Sequence, residues 1–214
     1  MRACQVIASG IAALLLPAAA ALGQGAPQRQ SGPLDRAPAI DRLLRESWPG
    51  IDGAWRARLV QDPIQELCTR YRDKPPKRVA DAIRRMARAT IVYPSDGKLI
   101  GDPKRGEAIA QSGYGLRFTD TARGRPNGGN CYACHRISRT EESHGTVGPD
   151  LSTYTKSRPL TEAVARKIYD KIFNPHVTEP CSVMPRFGAN GILSPDDITH
   201  LVALIGASGV PPGK

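Results

Sequence analysis

The run Cys131-Tyr132-Ala133-Cys134-His135 places two thiols and an imidazole at a spacing that few chemistries use. On a helical turn, positions i, i+3 and i+4 share one face. Both thiols can then reach the two vinyl groups of a haem, with the imidazole beneath the iron as proximal ligand. CxxCH therefore reads as c-type haem attachment. A thioredoxin-like CxxC would need a βαβ setting that this sequence lacks. A zinc site would need a second Cys/His pair at matching spacing, and none is present. One such motif implies one haem c, anchored by Cys131 and Cys134 and ligated by His135.

The opposite side of the iron needs a second donor. Three methionines are available, Met1, Met86 and Met184. Methionine in a core is often filler, but Met184 is followed by Pro185, Phe187 and Gly188, in a loop just before the last expected helix. Class I cytochromes c place their distal methionine there, so Met184 is the expected second axial ligand. His176, eight residues upstream, is the rival, and His144 and Cys181 are further alternatives; His200 falls inside a helix and reads as structural. Ligation by His and Met raises the reduction potential relative to two histidines and leaves no open site for small ligands. That favours electron transfer over oxygen chemistry, and no catalytic residue is expected in this chain.

Beyond residues 1–23, which hold Cys4, two further cysteines remain, Cys68 and Cys181. An oxidising compartment favours a disulfide between them, which would tie the region before the haem motif to the loop bearing Met184. Two buried free thiols are the alternative.

The elements that position these groups read as helices. Residues 1–23 have the form of a secretory signal: Met1-Arg2, an apolar run from Val6 to Leu16, an Ala-rich stretch, then small residues at Ala21-Leu22-Gly23. The run is broken by Gly10 and Pro17 and falls short of the ~20 residues a bilayer needs. The mature chain is therefore expected to be periplasmic and soluble, without membrane insertion. Cys4 precedes the apolar run, so it does not form a lipid-attachment site. Residues 24–93 form an extension, flexible at first and then helical. In it, Asp62-Pro63 marks a helix start before Ile64, Leu67, Cys68 and Tyr71. After Pro75-Pro76, Val79, Ile83 and Met86 recur at helical spacing. This extension is poor in apolar residues and should pack against something else.

Residues 94–210 form the haem domain. Asp102-Pro103 opens one helix, a second runs from about Leu160-Thr161-Glu162 to Phe173, and Ser194-Pro195-Asp196-Asp197 is a capping box opening the last. The expected fold is all-α, a class I cytochrome c with a helical N-terminal extension. The 30 Lys and Arg against 20 Asp and Glu give a formal net charge of +10. Loss of residues 1–23 removes only Arg2 and leaves +9. No basic–aromatic pattern accompanies that charge, so nucleic acid is not an expected partner; acidic proteins or small anions are.

An ordered set of motifs sharpens the reading. Gly129-Asn130-Cys131-Tyr132-Ala133-Cys134-His135, Gly145-Thr146-Val147-Gly148-Pro149-Asp150-Leu151, Asn174-Pro175-His176 and Met184-Pro185-Arg186-Phe187-Gly188 together resemble SoxX, over residues 92–207. SoxX is the monohaem subunit of the thiosulfate-oxidising SoxAX complex. The resemblance implies that the Pro149 carbonyl accepts the proximal histidine's N–H, which would orient the ring and raise its donor strength. It also implies a heterodimer with a SoxA-like cytochrome subunit, which would carry the catalytic cysteine of an L-cysteine S-thiosulfotransferase. Thiosulfate would be joined there to the carrier cysteine of SoxYZ, and the electrons passed to a downstream cytochrome c. The long extension and Cys181 depart from a minimal cytochrome. A free-standing carrier between a reductase and an oxidase is the alternative.

Overall fold

The computed structural model describes residues 37–50, 53, 58–115, 120 and 124–208; the expected signal segment lies outside the described residues. The chain divides into two compact units, residues 1–49 and 50–214. In the first, α1 (Ala37–Ser47) exposes Ile40 and Leu43, and Trp48 N–H closes onto the Leu44 carbonyl at 3.1 Å.

The second unit begins with two helices of the extension. In α2 (Pro63–Arg70), Pro63 sits in the first turn, where its missing N–H leaves nothing unpaired. The Asp62 carboxylate accepts the N–H groups of Ile64 and Gln65, while the Gln65 side chain accepts from Asp62 N–H, completing a capping box. Pro75 and Pro76 then separate α2 from α3 (Lys77–Arg88). Ile64 and Cys68 from α2, Ile83 and Ala87 from α3, and Val177 form a small buried cluster. Helices α2 and α3 of the apolar-poor extension thus lie against the chain's own later residues.

The larger cluster belongs to the helices that follow. Helix α4 (Pro103–Gln111) crosses α6 (Pro195–Ala207) at buried Gly106, where a Cβ would run into the His200 carbonyl. Only glycine allows backbones that close. His200 is itself buried, and its Nδ1 accepts the Asp102 N–H at 2.8 Å, which fixes the start of α4 to the middle of α6. Helix α5 (Glu162–Phe173) completes the arrangement through Ala165, Ile168, Tyr169, Ile172 and Phe173. No strand occurs among the described residues. The fold is all-α.

Residues 88–93 join the two clusters. Ile91 packs against both. Asp170, buried in α5, accepts hydrogen bonds from Tyr93 Oη at 2.7 Å and Arg88 at 3.2 Å. Tyr169 Oη donates to the Val92 carbonyl, and the Asn174 side-chain amide donates to Thr90. A carboxylate this enclosed needs such donors, because an unpaired buried charge is strongly unfavourable.

Candidate haem site

The CxxCH segment is a 3₁₀ turn at Cys131–Ala133, entered through Asn130 at φ 46°. Residues i and i+3 eclipse in 3₁₀ geometry, which sets both cysteines on one side. The Cys131 carbonyl accepts from Cys134 N–H at 3.1 Å and from His135 N–H at 2.9 Å, so the imidazole follows directly from the turn. Tyr132, between the cysteines, is buried and donates to the Glu107 carboxylate of α4 at 3.1 Å. Burial and that carboxylate both raise its pKa, so it remains a neutral donor.

A returning loop fastens the turn from below. Gly145 N–H reaches the Tyr132 carbonyl, Gly148 N–H the Cys134 carbonyl, and Leu151 N–H the Arg136 carbonyl, at 2.8, 2.8 and 2.7 Å. The His135 Nδ1 lies 2.8 Å from the Pro149 carbonyl oxygen. A carbonyl only accepts, so Nδ1 carries the proton and Nε2 keeps its lone pair. Gly148 lets the loop press against the ring, since a Cβ there would collide with it. The far end of the loop is pinned by Ser208 Oγ, which donates to the Leu151 carbonyl at 2.8 Å.

The distal candidate lies in the segment between α5 and α6. Met184 is half-buried against the main core, as is Cys131. Phe187 is buried nearby, and the N–H groups of Gly188 and Ala189 both donate to the Phe173 carbonyl at the end of α5. The rivals have other duties. His176 Nδ1 accepts Cys181 N–H at 2.9 Å, so that lone pair is engaged. Burial, with Arg186 adding to it, lowers the His176 pKa and keeps the ring neutral. His144 is tied to the Glu142 carbonyl at 3.2 Å. Cys181 is disulfide-bonded to Cys68, with a Cα–Cα distance of 5.4 Å. That bond settles the open question of the cysteines and leaves Cys181 without a thiolate to offer. Met86 packs in the small cluster with α2 and α3.

These residues suit a haem. Cys131 and Cys134 are free thiols. Burial pushes the Cys131 thiol up to about 12. Such a group is a poor thiolate, which disfavours zinc binding or thiol exchange. Arg136 Nε, next to His135, is buried with no hydrogen-bond partner among the described residues. A haem propionate is one group that would satisfy it.

Three contributors carried little signal in the sequence. Glu107 supports the turn through Tyr132, Asp170 anchors residues 88–93, and Arg186 pairs with Asp62 of the α2 cap. Each is an ordinary charged residue whose partner lies far away along the chain. Arg186 at least stands inside the Met184 motif.

Comparison with known proteins agrees with this geometry. The sequence model of the cytochrome c family matches residues 101–208. A curated protein of Aquifex aeolicus (strain VF5), described as an uncharacterized lipoprotein, is 35% identical over 153 residues, covering 70% of this chain and 71% of its own length. Among the described residues, no helix is long and apolar enough to cross a membrane. The chain belongs to the cytochrome c family, whose fold and covalently bound haem c it shares.

Proposed function

We propose that this chain is an exported monohaem cytochrome c that takes up and releases electrons one at a time in a SoxAX-type pair. The observation that carries the electron-transfer reading is the proximal turn. There two free thiols, an imidazole oriented by the Pro149 carbonyl and a close-pressed loop stand in one short segment. The bound haem would supply one-electron storage. The chain's residues do the rest. Cys131 and Cys134 would anchor the haem, His135 would donate from Nε2, and Met184 would be the second ligand and raise the potential.

The SoxAX setting rests on the ordered motifs, above all Met184-Pro185-Arg186-Phe187-Gly188 following Asn174-Pro175-His176. In that setting a SoxA-like subunit would bring the catalytic cysteine. The terminal sulfur of thiosulfate would bond to the sulfur of the SoxYZ carrier cysteine, which gives up its proton, and two electrons would leave. This chain would accept them singly and pass them to another cytochrome c, doing no covalent sulfur chemistry itself. Residues 1–23 would direct export to the periplasm. Purification of the full chain from its native cells tests the pairing. A second cytochrome should co-purify, and thiosulfate with the carrier should reduce the haem of the pair. Isolation as a lone haem protein would remove the SoxAX reading.

One observation favours a second reading. Helices α2 and α3 bury their apolar residues against Val177 and neighbouring residues of the same chain. The extension thus has a partner without a second subunit, as a free-standing carrier between a reductase and an oxidase would require. The same purification separates the two.

A further inference from the structure

Helix α2 grips the Met184 loop twice. Cys68 is bonded to Cys181, three residues before Met184. Asp62, at the helix start, is ion-paired with Arg186, two residues after it. The two grips come from one helix and bracket one side chain. The Arg186 side chain is only 13% exposed, so little water reaches its guanidinium and the Asp62 carboxylate serves as its counter-charge. Burial pushes the Asp62 pKa up, but the Gln65 N–H and Arg186 outweigh it and hold the carboxyl below its usual range. Within the bracket, His176 accepts the Cys181 N–H, and Cys181 adopts a left-handed φ of 62°. A non-glycine residue holds such a conformation only where its surroundings impose it.

Beside the loop lies a cavity of about 380 Å³, lined among others by Gln65, Cys68, Thr69, His176, Cys181 and Met184. The loop therefore has space next to it. Among the described residues few backbone hydrogen bonds cross residues 182–186, so the two grips add to the core packing of Met184 and to the Phe173 carbonyl's hold on Gly188 and Ala189. A neutral thioether is a weak donor compared with an imidazole or a thiolate. Its hold on an iron depends on the loop presenting it at high effective concentration.

We infer that α2 is a buckle for the distal ligand, with Asp62, Arg186, Cys68 and Cys181 as positioning residues. They hold Met184 at the haem iron and so close the sixth coordination position to competing ligands. The inference rests on the reading of Met184 as axial ligand.

The test uses the full-length haem-loaded protein. In the oxidised state, the far-red absorption band of methionine–iron bonding and the affinity for added imidazole are measured. Arg186→Gln and the paired Cys68→Ser/Cys181→Ser variant should each weaken the band and tighten imidazole binding about tenfold, the response of a competitor to a lower effective ligand concentration. Arg186→Lys, which keeps the charge, should recover most of the loss. Met184→Ala serves as the reference and should abolish the band. If it does so while Arg186→Gln and the cysteine variant bind imidazole like the parent, the buckle is overturned and the ligand reading stands. A band that survives Met184→Ala overturns both. Should the cysteine variant fail to hold haem, Arg186→Gln and Arg186→Lys decide alone: an unchanged imidazole affinity in Arg186→Gln sinks the inference.

Discussion

The two sides of the haem site are built by different means. The proximal side is mainly local: apart from supports from Glu107 and Ser208, the turn at Cys131–Ala133 and the loop to Leu151 close on each other through hydrogen bonds between nearby residues, ending in the contact between His135 and the Pro149 carbonyl. The proposed distal side is remote. Met184 lies in a loop whose restraints come from the end of α5 and from α2, which precedes it by more than half the folded chain. A locally closed segment carries its geometry with it, whereas a remotely held one keeps its geometry only while the rest of the fold is in place. Damage to the first should act on whether haem is bound at all. Damage to the second should act in degrees, on potential and on stability.

The largest effect is therefore expected at the proximal turn. Cys134→Ser removes one thioether and should lower the yield of covalently bound haem severely, read as the haem-to-protein ratio after acid–acetone extraction. A normal ratio would erase the contrast between the sides. Met184→Ala comes next. It should retain haem while the reduction potential falls by on the order of a hundred millivolts, well inside the roughly 0.8 V over which axial ligands act. An unchanged potential in redox titration would remove Met184 from the site.

Smaller effects should come from the remote restraints. Cys68→Ser/Cys181→Ser opens a covalent loop with a sequence separation of 113 residues and should lower stability by about 2–5 kcal/mol in denaturant titration. Asp170→Asn leaves Arg88 and Tyr93 with a neutral acceptor and should lose about 1–3 kcal/mol, with the haem spectrum hardly altered. The smallest concerns pH. Folding depresses the Asp62 pKa, so its contribution is present above the ordinary carboxylate value of 3.8 and is lost as pH falls through the lower folded value. The stability difference between the parent and Asp62→Asn should thus shrink below pH 3.8. A difference that persists unchanged into stronger acid would show that the Arg186 pair does not contribute through charge.

The same contrast explains what could be read from the sequence. Cys131, Cys134 and His135 fall within one short stretch, and their chemistry is legible because spacing alone brings them together, whereas the part of Pro149 came from the family resemblance. Helix starts were equally open. Asp62-Pro63 and Ser194-Pro195 announce themselves because a cap acts on its immediate neighbours. The pairing of Cys68 with Cys181 followed from there being only two cysteines left over. Nothing comparable marks Asp62 for Arg186, or Asp170 for Tyr93 and Arg88. A long-range ion pair is a property of tertiary approach, and a carboxylate looks the same in sequence whether it faces water or a guanidinium. The extension's role was half legible: its shortage of apolar residues said that it must lean on something, but not that the support was Val177 and the segment leading to Met184.

The threads that residues 88–93 send into α5 bear on where this protein can be cut. The family resemblance starts at residue 101. A chain shortened to that border would strand several groups at once. Asp170 would lose both donors, Tyr169 Oη its acceptor, the Asn174 amide its hydroxyl partner, and Cys181 its bonded sulfur. The unit that these contacts hold together is therefore wider than the stretch matched by the family model. Residues 88–93 serve as part of the wall of the haem domain, and any shortened version that is to keep its buried polar groups paired must carry them along.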